Sequence, residues 1–438
     1  MDAIKTELVY ADGAFRSGMT ALVEDGLVGG LVASAETPSG AHLDDWGAIA
    51  LVPGTVNSHG HAFQNLFKGF ADDRSFDSWR DDVLYPFSER LDGEAIYAGA
   101  LFAFAEALLA GVTTTVDFFY LHDGGNQNAE QVIAAARDLG IRLVLARTFY
   151  DPDAPTGAPG RYREAPEDAA ERTLELAAAY EGDSLVSVQP APHSLHAAEP
   201  ETIALALEVA GRLGVPCHLH LAEASYERDQ VVARYGTTPV RLLEREGLLR
   251  GNLVTIHTVW VDDEELDMLA EAGSGVVHCP GANAFLGDGV ARLPEMLERG
   301  IRVGLGPDGG CANNRQSVFD EMRTASLMAK ARLCEGGALD ARTAFALGTA
   351  GGADLLGVDA GSIATGKRAD LVALDLDDLS LQPLKTREHQ VVNSMLPTAI
   401  ERVVVDGETV VERGRLTRMD HAEIRARIRE ATGAWTRP

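Results

Sequence analysis

The sequence predicts an α/β fold: a (β/α)8 barrel of the TIM type with a small β-sandwich domain built from both termini. Three observations carry that expectation. From residue 51 a short, β-rich apolar run followed by a longer segment of helical periodicity recurs eight times. Both flanks are Val-rich, broken by Asp-Gly turns, and read as hairpins. At 438 residues the chain is longer than one simple core supports, but suits a large barrel with an appended domain.

Residues 1–52, with "TALVEDGLVGGLV", form the N-terminal part of the β-domain, and residues 53–362 the barrel. The eight runs are "LVPGTVNSHGH" (51–61), "GVTTTVDFFY" (111–120), "IRLVLARTFYD" (141–151), "SLVSVQPAPHS" (184–194), "VPCHLHLAE" (215–223), "NLVTIHTVW" (252–260), "SGVVHCPGAN" (274–283) and "IRVGLGPDG" (301–309). Helices such as "AEQVIAAARDLG" and "PETIALALEVAGRLG" lie between them, with Gly near their ends as a stop signal. Eight β-then-α units close naturally into a barrel whose strand carboxyl ends build the active site. Residues 363–438 supply the rest of the β-domain, with "AIERVVVDGETVVERG", and a closing helix in "MDHAEIRARIREATGAW". Neither flank is large enough for a comfortable core of its own, so the two pair.

The composition, 46% hydrophobic and 24% charged with no low-complexity block, is that of a globular chain. Sixty-six acidic against 38 basic residues give a formal charge of −28, which repels phosphate backbones and anionic membranes. A small-molecule substrate is therefore expected, and neither nucleic acid nor a membrane. Cys217, Cys279, Cys311 and Cys334 form no C-x-x-C pair, the start lacks a signal-peptide profile, and no apolar run reaches about 18 residues. A cytoplasmic protein with reduced thiols is expected.

The chemistry is written at the strand ends. In "VNSHGHAFQ", His59 and His61 are separated by one residue, and alternation along an extended chain sends both imidazoles to one side. His220 ends the fifth run, His257 the sixth, and Asp308 the eighth. Four of the twelve histidines and a carboxylate thus converge on one mouth, a donor set suited to zinc or another borderline divalent ion. His218, alternating with His220, faces the other side of its strand.

The ordered motifs "SHGH", "HLHLAE", "TIHTVW", "VVHCPGAN" and "GLGPDGGCANN" resemble those of the amidohydrolase superfamily over nearly the whole chain. The segments at 220–249 and 308–323 look most like its single-metal branch of nucleoside, pterin and triazine aminohydrolases. "SLVSVQPAPHS" lacks the lysine of two-metal relatives, in agreement. The resemblance implies one divalent metal, zinc first and ferrous iron second, held by His59, His61, His220 and Asp308. It implies a homo-oligomer, a dimer or tetramer. Asp308 would take the proton of an activated water, Glu223 would carry a proton to the nitrogen of the carbon–nitrogen double bond under attack, and His257 would polarise or steer the water. Loss of ammonia leaves a carbonyl, so a deaminase or deiminase of an amino-heterocycle or amidine is expected. A formimino-glutamate-type deiminase, release of chloride or an alkylamine from a triazine, or opening of a cyclic amide are the alternatives.

His193 in "APHSLHA" matches a substrate-contacting position. Arg147 at the third strand end is expected to contact an anion or heteroatom, and His278 to lie near the mouth. Gln64, Trp79 and Tyr120 are expected to shape the rim, while nothing beside Cys311 activates its thiol. Two departures bear on substrate. Ser88 in "LYPFSERL" stands where adenosine-type relatives carry a ribose-binding glutamate, with Glu89 one residue away. "HAFQ", "FYLH", "PHSL" and "LGDG" resemble N-formimino-glutamate deiminase, but His196 stands where that enzyme has a carboxylate-gripping arginine. Adenosine and formimino-glutamate are both expected to be poor substrates.

Overall fold

A computed structural model describes residues 1–437. Eight parallel strands form the barrel: β1 (Thr55–Asn57), β2 (Val112–Phe119), β3 (Arg142–Phe149), β4 (Val186–Pro192), β5 (Cys217–Leu221), β6 (Leu253–His257), β7 (Gly275–His278) and β8 (Val303–Leu305). β1 to β4 pair in order, as do β5 to β8. The two halves meet where Ser194, just past β4, bridges His220 of β5, and where Ser58 N donates to Leu305 O at 2.9 Å to bring β1 against β8. Every residue of β2, β3, β5 and β6 is buried, as expected of strands covered on both faces. The helices between them end where the glycines predict: Gly140 and Gly214 adopt φ of 76° and 68° at the ends of Gln127–Leu139 and Pro200–Leu213.

Two of the expected runs divide. Leu51–Pro53 belongs to a strand, Ile49–Pro53, of the small domain, and the chain turns at Gly54 before β1 begins. In "SGVVHCPGAN" the strand stops at His278, because Pro280 opens a helix, Pro280–Leu286, a position where its missing N–H costs nothing.

The small domain is a pair of sheets. One is four-stranded and N-terminal. The other has seven strands and interleaves both termini, with Leu371–Asp375 lying between Ile49–Pro53 and Ile400–Val405. Between them pack Ile4, Val9, Val23, Val28, Leu51, Leu371 and Val404, a core that neither terminus could form alone. The last helix, His421–Thr432, lies instead against barrel helix Gly93–Leu109, and Trp435 packs on Phe67, Phe70 and Phe87.

The domains are joined by a buried ion pair. Arg142 at the start of β3 donates to both oxygens of Asp370, at 2.8 and 2.9 Å, and Asp370 Oδ1 also accepts from Asp406 N. Removing one partner strands a charge in a dry interface, which costs about 3–5 kcal/mol. Arg142→Ala is therefore expected to lower the urea midpoint sharply while leaving the turnover of the folded fraction unchanged; an unaltered midpoint contradicts this role.

Candidate active site

The strand ends are turned inward by backbone that non-glycine residues seldom adopt. Ala222, His257, Thr258 and Asp308 have φ of 51°, 69°, 49° and 68°. Such conformations cost on the order of 1–3 kcal/mol each and persist only where the surroundings hold them. Here Thr258 N donates to Leu221 O at 3.0 Å and Asp308 N to His59 O at 3.1 Å, tying each bend to the neighbouring strand. The glycines after Asp308 are required by crowding: a Cβ on Gly309 would lie 1.9 Å from Gln64 Oε1, and one on Gly310 2.1 Å from Asn65 Oδ1.

Four donors converge as expected. His59 Nε2 lies 3.2 Å from His220 Nε2 and 3.4 Å from Asp308 Oδ1, and His61 Nε2 lies 3.4 Å from the same oxygen. A tetrahedron with bonds of about 2.0–2.1 Å has edges of about 3.3 Å, so the spacing suits a zinc-sized ion. His61 Nδ1 donates to Phe118 O at 2.7 Å and His220 Nδ1 to His193 O at 2.8 Å, which turns both Nε2 lone pairs inward. Burial, reinforced by the neighbouring imidazoles, holds His59 and His61 well below the usual histidine range, and burial also lowers His220. Neutral rings with their lone pairs facing one another fit a cation between them.

Opposite stands an acidic group. Glu223 Oε1 lies 3.4 Å from His257 Nε2, and Glu223 N donates to Glu227 Oε2 at 2.8 Å. Burial, and then the negative charges of Asp288, Asp308 and Glu227, push the Glu223 carboxyl well above the ordinary range. Burial likewise pushes Glu227 and Asp288 up to about 7. A carboxyl that keeps its proton near neutrality is equipped to donate it.

These groups open on a narrow cavity of about 60 Å³. Of the residues read from the sequence, His61, Gln64, Trp79, Tyr120, His193, His196, His220, Glu223 and Asp308 line it. Gln64 Nε2 donates to Tyr120 Oη at 2.7 Å, and Trp79 Nε1 to Cys311 O at 3.2 Å. Cys311 is buried, and burial pushes its thiol up. His218 turns away to Gln189 Oε1 at 2.6 Å.

Two expectations fail. Arg147 does not reach the cavity: it points outward from β3, fully buried, and pairs with Glu164 at 2.8 Å and Asn126 at 2.8 Å. A buried guanidinium needs a carboxylate, and Glu164 meets that need away from the mouth. His278 ends β7 but is buried outside the cavity lining, its ring lowered to about 4 by burial.

The segment between β1 and helix Gly93–Leu109 was not foreseen as a wall. A helical turn, Phe76–Ser78, continues into a π-helical stretch, Trp79–Leu84, and lays Phe76, Trp79, Arg80, Leu84 and Tyr85 over the cavity. The signal was present, because Phe76 lies three and four positions before Trp79 and Arg80, a helical spacing that sets it beside both. Tyr226, whose ring meets Phe76 at 5.0 Å, closes the other side. Ser88 Oγ accepts from Tyr162 Oη at 2.7 Å and donates to Tyr85 O at 2.9 Å, so its hydroxyl is committed, while Glu89 is exposed outside the cavity. Arg161 is spent on Ser88 O, Leu91 O and Asp123.

The model of the amidohydrolase family matches residues 50–410. The chain is 33% identical over 387 residues to a 5-methylthioadenosine/S-adenosylhomocysteine deaminase of Syntrophobacter fumaroxidans, covering 88% of this chain and 85% of that one. It is also 33% identical to a 5'-deoxyadenosine deaminase of Methanothermobacter thermautotrophicus, over 94% and 92% of the two chains. A crystal structure of an adenosine deaminase from Xanthomonas campestris with bound zinc superposes with a TM-score of 0.90 at 28% identity, over 98% and 97%. With the family model matched over residues 50–410 and relatives 33% identical over most of both chains, the chain belongs to the amidohydrolase family, as a hydrolytic deaminase acting on carbon–nitrogen bonds.

Proposed function

We propose that the protein deaminates a compact, planar amino-heterocycle at a single zinc centre held by His59, His61, His220 and Asp308. The observation that carries this reading is the convergence of those four donors opposite Glu223, a buried carboxyl that burial and neighbouring carboxyls raise above its ordinary range. A divalent ion bound there supplies Lewis-acid activation of water at neutral pH. Asp308 accepts the proton of the attacking water, and Glu223 delivers one to the ring nitrogen beside the carbon attacked. Tyr120, His193, Trp79 and Tyr226 offer aromatic faces and edges to a flat ring.

The cavity of about 60 Å³ is small beside the roughly 300–1,000 Å³ of ordinary ligand sites, which favours a compact substrate. The relatives' names point to a 6-aminopurine head. The committed hydroxyl of Ser88 and the exposed Glu89 leave no ribose acceptor there, which favours the head without its sugar. Four free cysteines, three of them buried, accord with a reducing cytoplasm, and no helix among the described residues is long and apolar enough to cross a membrane.

A second reading has one specific support. Arg80 lines the cavity, with Asp77 and Asp81 as its partners, and is a cation within reach of an anionic tail such as that of a formimino acid. Ammonia release across aminated heterocycles, adenosine, 5-methylthioadenosine and formimino-glutamate separates the two. The expected order places a free amino-heterocycle at least tenfold above the nucleosides in kcat/KM. A nucleoside in the ordinary range of about 10⁴ M⁻¹s⁻¹ or above contradicts the assignment of Ser88. If formimino-glutamate leads, and Arg80→Met raises its KM at least tenfold, the second reading replaces the first.

A further inference from the structure

The donors near Asp308 fall into two overlapping groups able to hold an ion, His59 with His61 and His220, and His59 with His257 and Asp308. Which role His257 takes depends on where its ring carries hydrogen. Its Nδ1 lies 3.1 Å from the side-chain amide of Asn283, whose Nδ2 also lies 3.4 Å from Asp288 Oδ2. Asn283 and Asp288 are both buried, and both belong to the loop and helix that follow β7.

In its ionised form Asp288 only accepts hydrogen bonds and so requires the nitrogen end of the Asn283 amide; turning the amide over would then face two oxygens together. With Nδ2 so placed, the same group can only donate to His257 Nδ1, and a neutral imidazole then carries its single hydrogen on Nε2. Nε2 faces Glu223 Oε1 at 3.4 Å and Asp308 Oδ2 at 4.0 Å, both of which accept.

We propose that Asn283, oriented by Asp288, is a positioning residue that locks His257 as the Nε2–H tautomer. His257 then presents a hydrogen-bond donor to the attacking water, between the Glu223 carboxyl and Asp308, and has no lone pair there to offer a metal. This excludes it from the ligand set and leaves His59, His61, His220 and Asp308. The inference rests on the reading of the site as a single-metal deaminase, but its primary readout does not.

The test is ¹⁵N NMR of the histidine rings in the metal-free and zinc-loaded protein, with His257 assigned by the signal lost in His257→Gln. The wild-type ring is expected to show Nε2 protonated and Nδ1 bare. The double variant Asn283→Asp with Asp288→Asn keeps the net charge but exchanges donor for acceptor, and is expected to move the hydrogen to Nδ1. Zinc content should be retained, and kcat should fall by about 10–100-fold with KM little changed. Nδ1 protonation in the wild type, or one tautomer shared by wild type and double variant, overturns the proposal. Should the double variant not fold, the wild-type spectrum decides alone. Absence of deaminase activity with the expected tautomers would count against the functional reading and not against the role of Asn283.

Discussion

His220→Ala and Asp308→Ala are each expected to reduce bound metal from about one equivalent per chain to near zero, and kcat/KM by about a thousandfold or more. His59 Nε2 lies 3.2 Å from His220 Nε2, and His59 and His61 Nε2 each lie 3.4 Å from Asp308 Oδ1, a spacing that suits a zinc-sized cation among them. An ion that activates water contributes several kcal/mol to the transition state, and each 1.4 kcal/mol is about tenfold in rate. The fold should survive, because the barrel's stability resides in the buried Val, Leu and Ile of its strands, below the mouth. Elemental analysis beside circular dichroism checks this. Full activity after chelation, or in either variant, contradicts the metal centre.

The second large effect is expected at Glu223. Glu223→Gln keeps the shape of the side chain and removes its proton-carrying ability, so metal should stay bound while turnover drops by about a hundredfold or more. Burial and the surrounding carboxyls raise this group in the folded protein, so it keeps its proton to a higher pH than a free glutamate and loses it as the pH rises further. The alkaline limb of the rate profile should therefore include Glu223 and change in the Gln variant. Loss of metal from Glu223→Gln with no catalytic defect in the metal that remains would reverse the assignment.

The barrel and its centre were legible because both are local. Strand runs, their order and the polar residues at their ends are read from short windows, and a carboxyl-end position fixes which way His59, His220 and Asp308 look. What could not be read depends on contacts far apart in sequence. Arg147 ends a strand as the ligands do, but Glu164, in the loop 17 positions later, draws it outward. His278 likewise sits at a strand end yet stays out of the cavity, since Pro280 starts a helix directly behind it. Phe76 and Arg80 carried a helical spacing, but only the folded chain shows that this helix covers the mouth and does not join the outer ring. Asn283 is a plain polar residue in "PGAN" until β7 brings it beside His257.

The central claim is hydrolytic deamination at this one centre, and the most direct measurement is turnover of the best amino-heterocycle in H₂¹⁸O with ammonia and product mass read together. The account predicts one ammonia released per product, and one ¹⁸O in the new carbonyl. A product that gains water without losing ammonia, or release of chloride or an alkylamine in ammonia's place, would contradict it.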